Sequence, residues 1–181
     1  MLKVKVMNLI VETERLIQRE ILPTDAEGIF KLDNNPNVMH YLGGKITTDI
    51  SVIHSNIEKI RNQYIQYNIG RFAVILKETN QFIGWSGLKF IAEPEKNFAN
   101  FYDIGYRFQE EFWGKGYAFE SALPWIDYAF KTMKIDKLNA DAHINNIGSN
   151  KILQKLGMQF LDQYEYEGYP FNWYELENPN K

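Results

Sequence analysis

The 181-residue chain carries 20 Lys and Arg against 23 Asp and Glu, a net charge of −3, with 45% hydrophobic and 24% charged residues. These values describe one globular domain with a single core over residues 1–181, and the near balance of charge argues against a nucleic-acid partner. The absence of cysteine excludes disulfides, thiolate metal sites and a cysteine nucleophile, and suits a cytoplasmic protein.

The first stretch, MLKVKVMNLIVETERL, is interrupted by Lys3, Lys5 and Glu12 and so reads as neither a signal peptide nor a membrane span. Residues 9 to 19 interleave apolar and charged side chains and predict a strand, and Pro23-Thr24-Asp25 supplies a turn and cap for a short helix ending near Leu32. Asn34-Asn35-Pro36-Asn37 breaks that helix. A longer one is expected from Thr48/Asp49, with Ile53, Ile57, Ile60 and Tyr64 at helical spacing. RFAVILK (71 to 77) and FIGWSGLKFI (82 to 91) read as a hairpin across a polar turn, and a polar loop leads to the strand FYDIGYRF (101 to 108). After a glycine turn come a helix from about Tyr117 to Lys131, the strand KLNADAHI, a helix from about Ile147 to Leu156, and strands near 158 to 166 and 171 to 177. The order β-α-α-β-β-β-α-β-α-β-β predicts an α/β (mixed α+β) domain with helices packed on a sheet. Pro124 removes a helical hydrogen bond, at about 3 kcal/mol if uncompensated, and predicts irregularity near residues 120 to 124.

The turn FWGKGYAFE (112 to 120) joins a strand to a helix through two glycines. A P-loop would need glycine five residues before Gly114, where Gln109 stands, and a dinucleotide fingerprint would need glycine at Phe119. Both are excluded. Strand, glycine turn and helix start together aim backbone N–H groups and a positive helix dipole at one place, so an anion could bind there. Gly114 and Gly116 could equally serve only to permit positive φ, with Lys115 a solvated side chain.

FWGKGYAFE, preceded by DIGYRF and followed by NNIGSNKILQKLGM (145 to 158), resembles the GNAT superfamily of acetyl-CoA-dependent N-acetyltransferases. ETERLIQR (12 to 19) and FIGWSGL are similar to its RimJ/RimL-like branch, typified by ribosomal-protein N-acetyltransferases. The resemblance spans roughly residues 10 to 160. It implies a central, mostly antiparallel twisted sheet of about seven strands with about four helices. It also implies acetyl-CoA as acyl donor and no metal. The pyrophosphate loop of the family aligns with Trp113, Gly114, Lys115, Gly116, Tyr117 and Ala118, with Trp113 in place of the usual Gln or Arg. Backbone groups near Tyr106, Arg107 and Phe108 would pair with the pantetheine arm as an added strand does. Asn146 would contact that arm, and Ser149 would help the thiolate leave. Leu153 stands where many members carry a tyrosine acid. Helix rules alone would make Asn146 a cap and Ser149 a first-turn residue.

Acetyl transfer needs a neutral amine and hence a base, for which Asp103, Glu120, Glu165 and Glu167 are the candidates. Asp103 lies on the strand before the loop, and Glu167 falls near the position of the proposed base in RimL-like enzymes. Glu120 equally serves the helix N-terminus. His40, His54 and His143 have no metal-ligand spacing, and Ser86 lacks the glycine of a nucleophile elbow. The aromatic residues Tyr164, Tyr166, Tyr169, Phe171, Trp173 and Tyr174 are expected mainly to pack, with a wall for the acceptor as their other use. The resemblance thus implies direct transfer of acetyl to a protein N-terminus or small amine by a monomer or homodimer, without nucleic acid or membrane. The alternative is a GNAT-like domain that binds acyl-CoA as a sensor without turnover.

Overall fold

A computed structural model describes residues 9–92, 99–179 and 181. The N-terminal residues 1–8 and part of the polar loop after residue 91 therefore lie outside the described residues. Eight strands form one sheet in the order β1-β2-β3-β4-β5-β6-β8-β7. They are β1 (Val11–Glu12), β2 (Leu16–Glu20), β3 (Arg71–Leu76), β4 (Gln81–Ile91), β5 (Phe101–Phe108), β6 (Lys137–His143), β7 (Gln159–Tyr166) and β8 (Tyr169–Glu177). Five α-helices accompany them among the described residues: α1 (Ala26–Asp33), α2 (Pro36–Met39), α3 (Ile50–Tyr67), α4 (Tyr117–Asp127) and α5 (Ile147–Lys155). Every neighbouring pair is antiparallel except β5 and β6, which run parallel.

The run RFAVIL in β3 is apolar without alternation because both faces of this central strand are covered. Ala73 and Ile75 pack with Ile29 of α1 and Ile53 and Ile57 of α3. On the other face, Phe72, Leu88, Ile104 and Leu138 meet Ala122 and Trp125 of α4 and Leu153 of α5. The α3 register follows the expected apolar stripe, with Asp49 capping the helix at Ser51 N–H (2.8 Å) and Asn68 ending it in the left-handed region.

Three expectations need correcting. Residues 9 to 19 form two short strands, paired with Val11 opposite Gln18, because the chain turns back at Thr13-Glu14-Arg15. Asn35-Pro36 begins the extra helix α2 instead of a plain break, with Asn35 Oδ1 accepting from the N–H groups of Asn37 and Val38 and proline at the first helical position. The helix passes through Pro124, and its departure from α geometry lies downstream. Tyr128–Thr132 is a π turn, closed by Met133 N–H on Tyr128 O, that keeps Ala129 and Phe130 buried. No helix among the described residues is long and apolar enough to cross a membrane.

A buried polar bridge ties the first strands to α4. Trp125 Nε1–H donates to Gln18 Oε1 (2.7 Å), and Gln18 Nε2–H donates to Ser121 O (3.0 Å), with Gln18, Ser121 and Trp125 all fully buried. Replacing Gln18 with Leu orphans the indole N–H in an apolar core. Urea unfolding of Gln18→Leu is expected to show a loss of about 2–4 kcal/mol with an unchanged slope.

Candidate active site

Strands β5 and β6 pair at one position, Asp103 with Asn139. On its other side β5 is paired with β4 along its whole length, from Phe101 to Phe108. The β6-facing backbone of β5 beyond Asp103 is therefore left out of the ladder, and such an edge can accept an extended ligand as an added strand. A cavity of about 640 Å³ opens along it, lined by residues 103–108 and closed at its far end by the glycine turn and the first turn of α5.

The turn is built for close backbone approach. Gly114 and Gly116 have φ of 72° and 82°, a region that side-chain-bearing residues rarely adopt, and Gly116 is the N-cap of α4. The first N–H groups of α4 have no acceptor within the helix and face outward from its positive end. Trp113 folds back, its indole N–H donating to Phe108 O (2.8 Å), so the turn is strapped to the end of β5. Arg15, from the β1–β2 turn, donates to Lys115 O (3.0 Å) and stacks on the Tyr117 ring at 4.4 Å. Its guanidinium also pairs with Glu120 at 2.6 Å.

The four carboxylate candidates have separate environments. Glu120 accepts from Thr13 Oγ1 (2.6 Å), Arg15 N (2.9 Å) and Arg15 Nε (2.7 Å). Burial alone would raise its pKa, but these donors outweigh it and hold the carboxylate below its usual range. Glu165 lies exposed on β7 and Glu167 in the exposed β7–β8 turn at φ 49°, and neither lines the cavity. Asp103 does line it. Burial raises the Asp103 carboxyl to about 6 against the pull of Arg71, and the neighbouring Asp141 adds to the rise.

Arg71 reaches Asp103 by crossing the sheet. It starts on β3, passes β4 with a bond to Gly87 O, and ends on β5, where Gly105 has no side chain to obstruct it. A Cβ on Gly105 would sit 2.7 Å from Arg71 Nη2. Beside it Arg107 pairs with Asp33 of α1 (2.8 Å), and both guanidinium groups lie over Trp85, at 5.3 and 5.1 Å from its ring centre.

The cavity gathers Tyr106, Arg107, Phe108, Trp113, Gly114, Gly116, Tyr117, Ala118, Asn146, Ser149 and Asp103. Lys115 is not among its lining residues and holds its ammonium 5.3 Å from the Phe112 ring centre. Asn146 Oδ1 accepts from Ser149 N–H (3.1 Å), which caps α5, and Asn146 still lines the cavity. Ser149 Oγ lies 3.2 Å from the Tyr106 hydroxyl. Arg71, Asp141, His143 and Tyr41 also line the cavity and were not foreseen from sequence. The alternation of Asp141 and His143 with buried Ala140 and Ala142 was the available signal for the β6 pair. Of the C-terminal aromatic group only Phe171 lines the cavity, stacked edge-on with His143 at 5.6 Å. Trp173 and Tyr174 are buried in the core.

Comparison with known proteins places this geometry. Residues 15–159 match the acetyltransferase (GNAT) domain family. The chain is 32% identical over 156 residues to the uncharacterized N-acetyltransferase p20 of Bacillus licheniformis, covering 84% of this chain and 85% of that protein. It is 30% identical over 178 residues to the uncharacterized N-acetyltransferase YoaA of Bacillus subtilis, covering 95% and 98%. Its fold is also similar to that of RimL, a ribosomal L7/L12 alpha-N-protein acetyltransferase solved in complex with coenzyme A. The TM-score is 0.76 at 14% identity, over 93% of this chain and 98% of that one. The chain belongs to the GNAT family of N-acetyltransferases.

Proposed function

We propose that this enzyme transfers the acetyl group of acetyl-CoA directly to a primary amine, a protein N-terminus or a small molecule, in a ternary complex. The observation that carries the reading is the shared cavity: the double-glycine turn at one end and the Asp103 carboxyl, raised to about 6, along the same strand. The fold shared with RimL supports the protein N-terminus among the acceptors. The cysteine-free composition suits a cytoplasmic setting.

In this reading the backbone of Trp113 to Ala118 holds the pyrophosphate of coenzyme A, with the α4 N-terminus supplying N–H groups and positive potential. Tyr106, Arg107 and Phe108 align the pantetheine arm through the open backbone of β5, with Asn146 contacting it from α5. Asp103 takes the proton of the attacking amine. An amine is a nucleophile only when neutral, and a carboxylate that titrates near 6 is a stronger base than an ordinary aspartate while remaining ionised at neutral pH. Backbone N–H groups of β5 receive the oxyanion, and the Ser149 hydroxyl faces the leaving sulfur.

Since the protein has no thiol of its own, a thiol reagent reads coenzyme A release directly, and acetyl-CoA with a panel of primary amines and N-terminal peptides is expected to give turnover with at least one acceptor. Tight acetyl-CoA binding without release across a broad panel would instead favour a sensor. Gly116→Val, forced into positive φ, is expected to weaken acetyl-CoA binding about tenfold or more by calorimetry, and unchanged affinity would contradict the pyrophosphate assignment. The rate kcat/KM is expected to rise with pH through about 6 as Asp103 loses its proton. Asp103→Asn is expected to remove that limb and lower the plateau about a hundredfold. Asp141→Asn, by removing a like charge, is expected to move the limb to lower pH and keep activity.

A further inference from the structure

The hydroxyls of Tyr106, on β5, and Ser149, in the first turn of α5, lie 3.2 Å apart, and the Tyr106 hydroxyl is also 3.3 Å from Ser149 O. Both residues line the cavity. Two hydroxyls in contact have two hydrogens between them. The Tyr106 hydrogen has two acceptors, Ser149 Oγ and Ser149 O: if it goes to the carbonyl while Ser149 donates to the phenol, no hydrogen is left for the cavity, and if it goes to Ser149 Oγ, one is. When Tyr106 donates to Ser149 Oγ, the Ser149 hydrogen is the one left over. The position four residues along α5 is Leu153, 1% exposed and packed in the core, so α5 offers no hydroxyl of its own one turn further on.

We propose that Tyr106 is a positioning residue for the acetyl transfer: it donates to Ser149 Oγ and so aims the Ser149 hydroxyl at the sulfur of coenzyme A. This inference rests on the acetyl-transfer reading above. In the step, the amine nitrogen forms the new C–N bond and gives its proton to Asp103. The C–S bond breaks with its electron pair on sulfur. The thiolate leaves in the hydrogen bond from Ser149 and takes its proton from solvent after release. Neither hydroxyl surrenders its own proton. Burial pushes the Tyr106 phenol further above its ordinary range, whereas a thiol titrates at about 8.5, so proton transfer from Tyr106 to sulfur would run uphill. Hydrogen-bond donation carries no such penalty, and a bond to a charged acceptor is about twice as strong as a neutral one.

The test uses the full-length protein and coenzyme A itself. With no cysteine in the chain, and with protein in excess so that nearly all coenzyme A is bound, the pH dependence of iodoacetamide alkylation reports the bound thiol. Tyr106→Phe keeps the ring and removes the hydroxyl. It is expected to raise the pKa of the bound thiol by about half a unit to one unit and lower kcat about tenfold, with KM for acetyl-CoA within about twofold. Ser149→Ala is expected to do the same, and the double variant to be no worse than Ser149→Ala, because one hydroxyl acts through the other. An unmoved thiol pKa in Tyr106→Phe, or an equal loss from it in the Ser149→Ala background, would overturn the inference while leaving acetyl transfer intact. A wild-type protein that binds no coenzyme A would overturn the acetyl-transfer reading and this inference together.

Discussion

One backbone constraint sets up the rest of the molecule: β5 and β6 meet at Asp103 and Asn139 and pair nowhere else. Backbone N–H and C=O groups inside a protein must find partners, so a ladder that stops leaves the remainder of β5 open along the cavity. Continuous pairing with β4 holds β5 in place from its other side. The chain then leaves β5 through the glycine turn into α4, while β6 leads into α5. Both helix N-termini thus line the same cavity.

Within that frame, environment gives similar carboxylates different behaviour. Glu120 is saturated by donors from the β1–β2 turn, and it spends its charge on holding Arg15 against the glycine turn. Asp103 has Arg71 as its cation and a second carboxylate, Asp141, nearby, and burial is the larger influence. The first arrangement stabilises the ionised form and makes a structural clamp. The second leaves a carboxyl that gains and loses a proton close to neutral pH. Arg71 reaches across β4 to Asp103 because Gly105 leaves room for its guanidinium, so backbone and electrostatics are coupled at this point.

The glycine turn is rigid for reasons that lie outside it. Trp113 straps it to β5, Arg15 pins the Lys115 carbonyl, and Gln18 with Trp125 fixes α4 against β2. A loop that binds through backbone N–H groups depends on those groups being held in place beforehand, since ordering them on binding would subtract from affinity. Trp113 therefore gives the turn a bond to the end of β5.

Much of this was legible in the sequence. Apolar periodicity identified α3, RFAVILK and FIGWSGLKFI marked the two strands of a hairpin, and the spacing of Gly114 and Gly116 excluded two nucleotide loops. These are local properties, governed by side-chain period and by the φ that a residue permits, and they need no distant partner. The first hairpin was not separable from a single strand, because turning back at Thr13 to Arg15 is stabilised by Glu120, more than a hundred residues away. Likewise, Lys115 belongs to the loop in sequence while its side chain lies off the cavity, and Glu167 sits in an exposed turn that does not line it. Arg71, Asp141 and the contact between Tyr106 and Ser149 were illegible for the same reason: their proximity arises from sheet order and helix packing. The sequence by itself determined the family, most of the elements and the glycine turn that lines the cavity. Only the tertiary structure decided which carboxylate is desolvated and which hydroxyls touch, because burial and through-space charge depend on residues that the chain brings together only when folded.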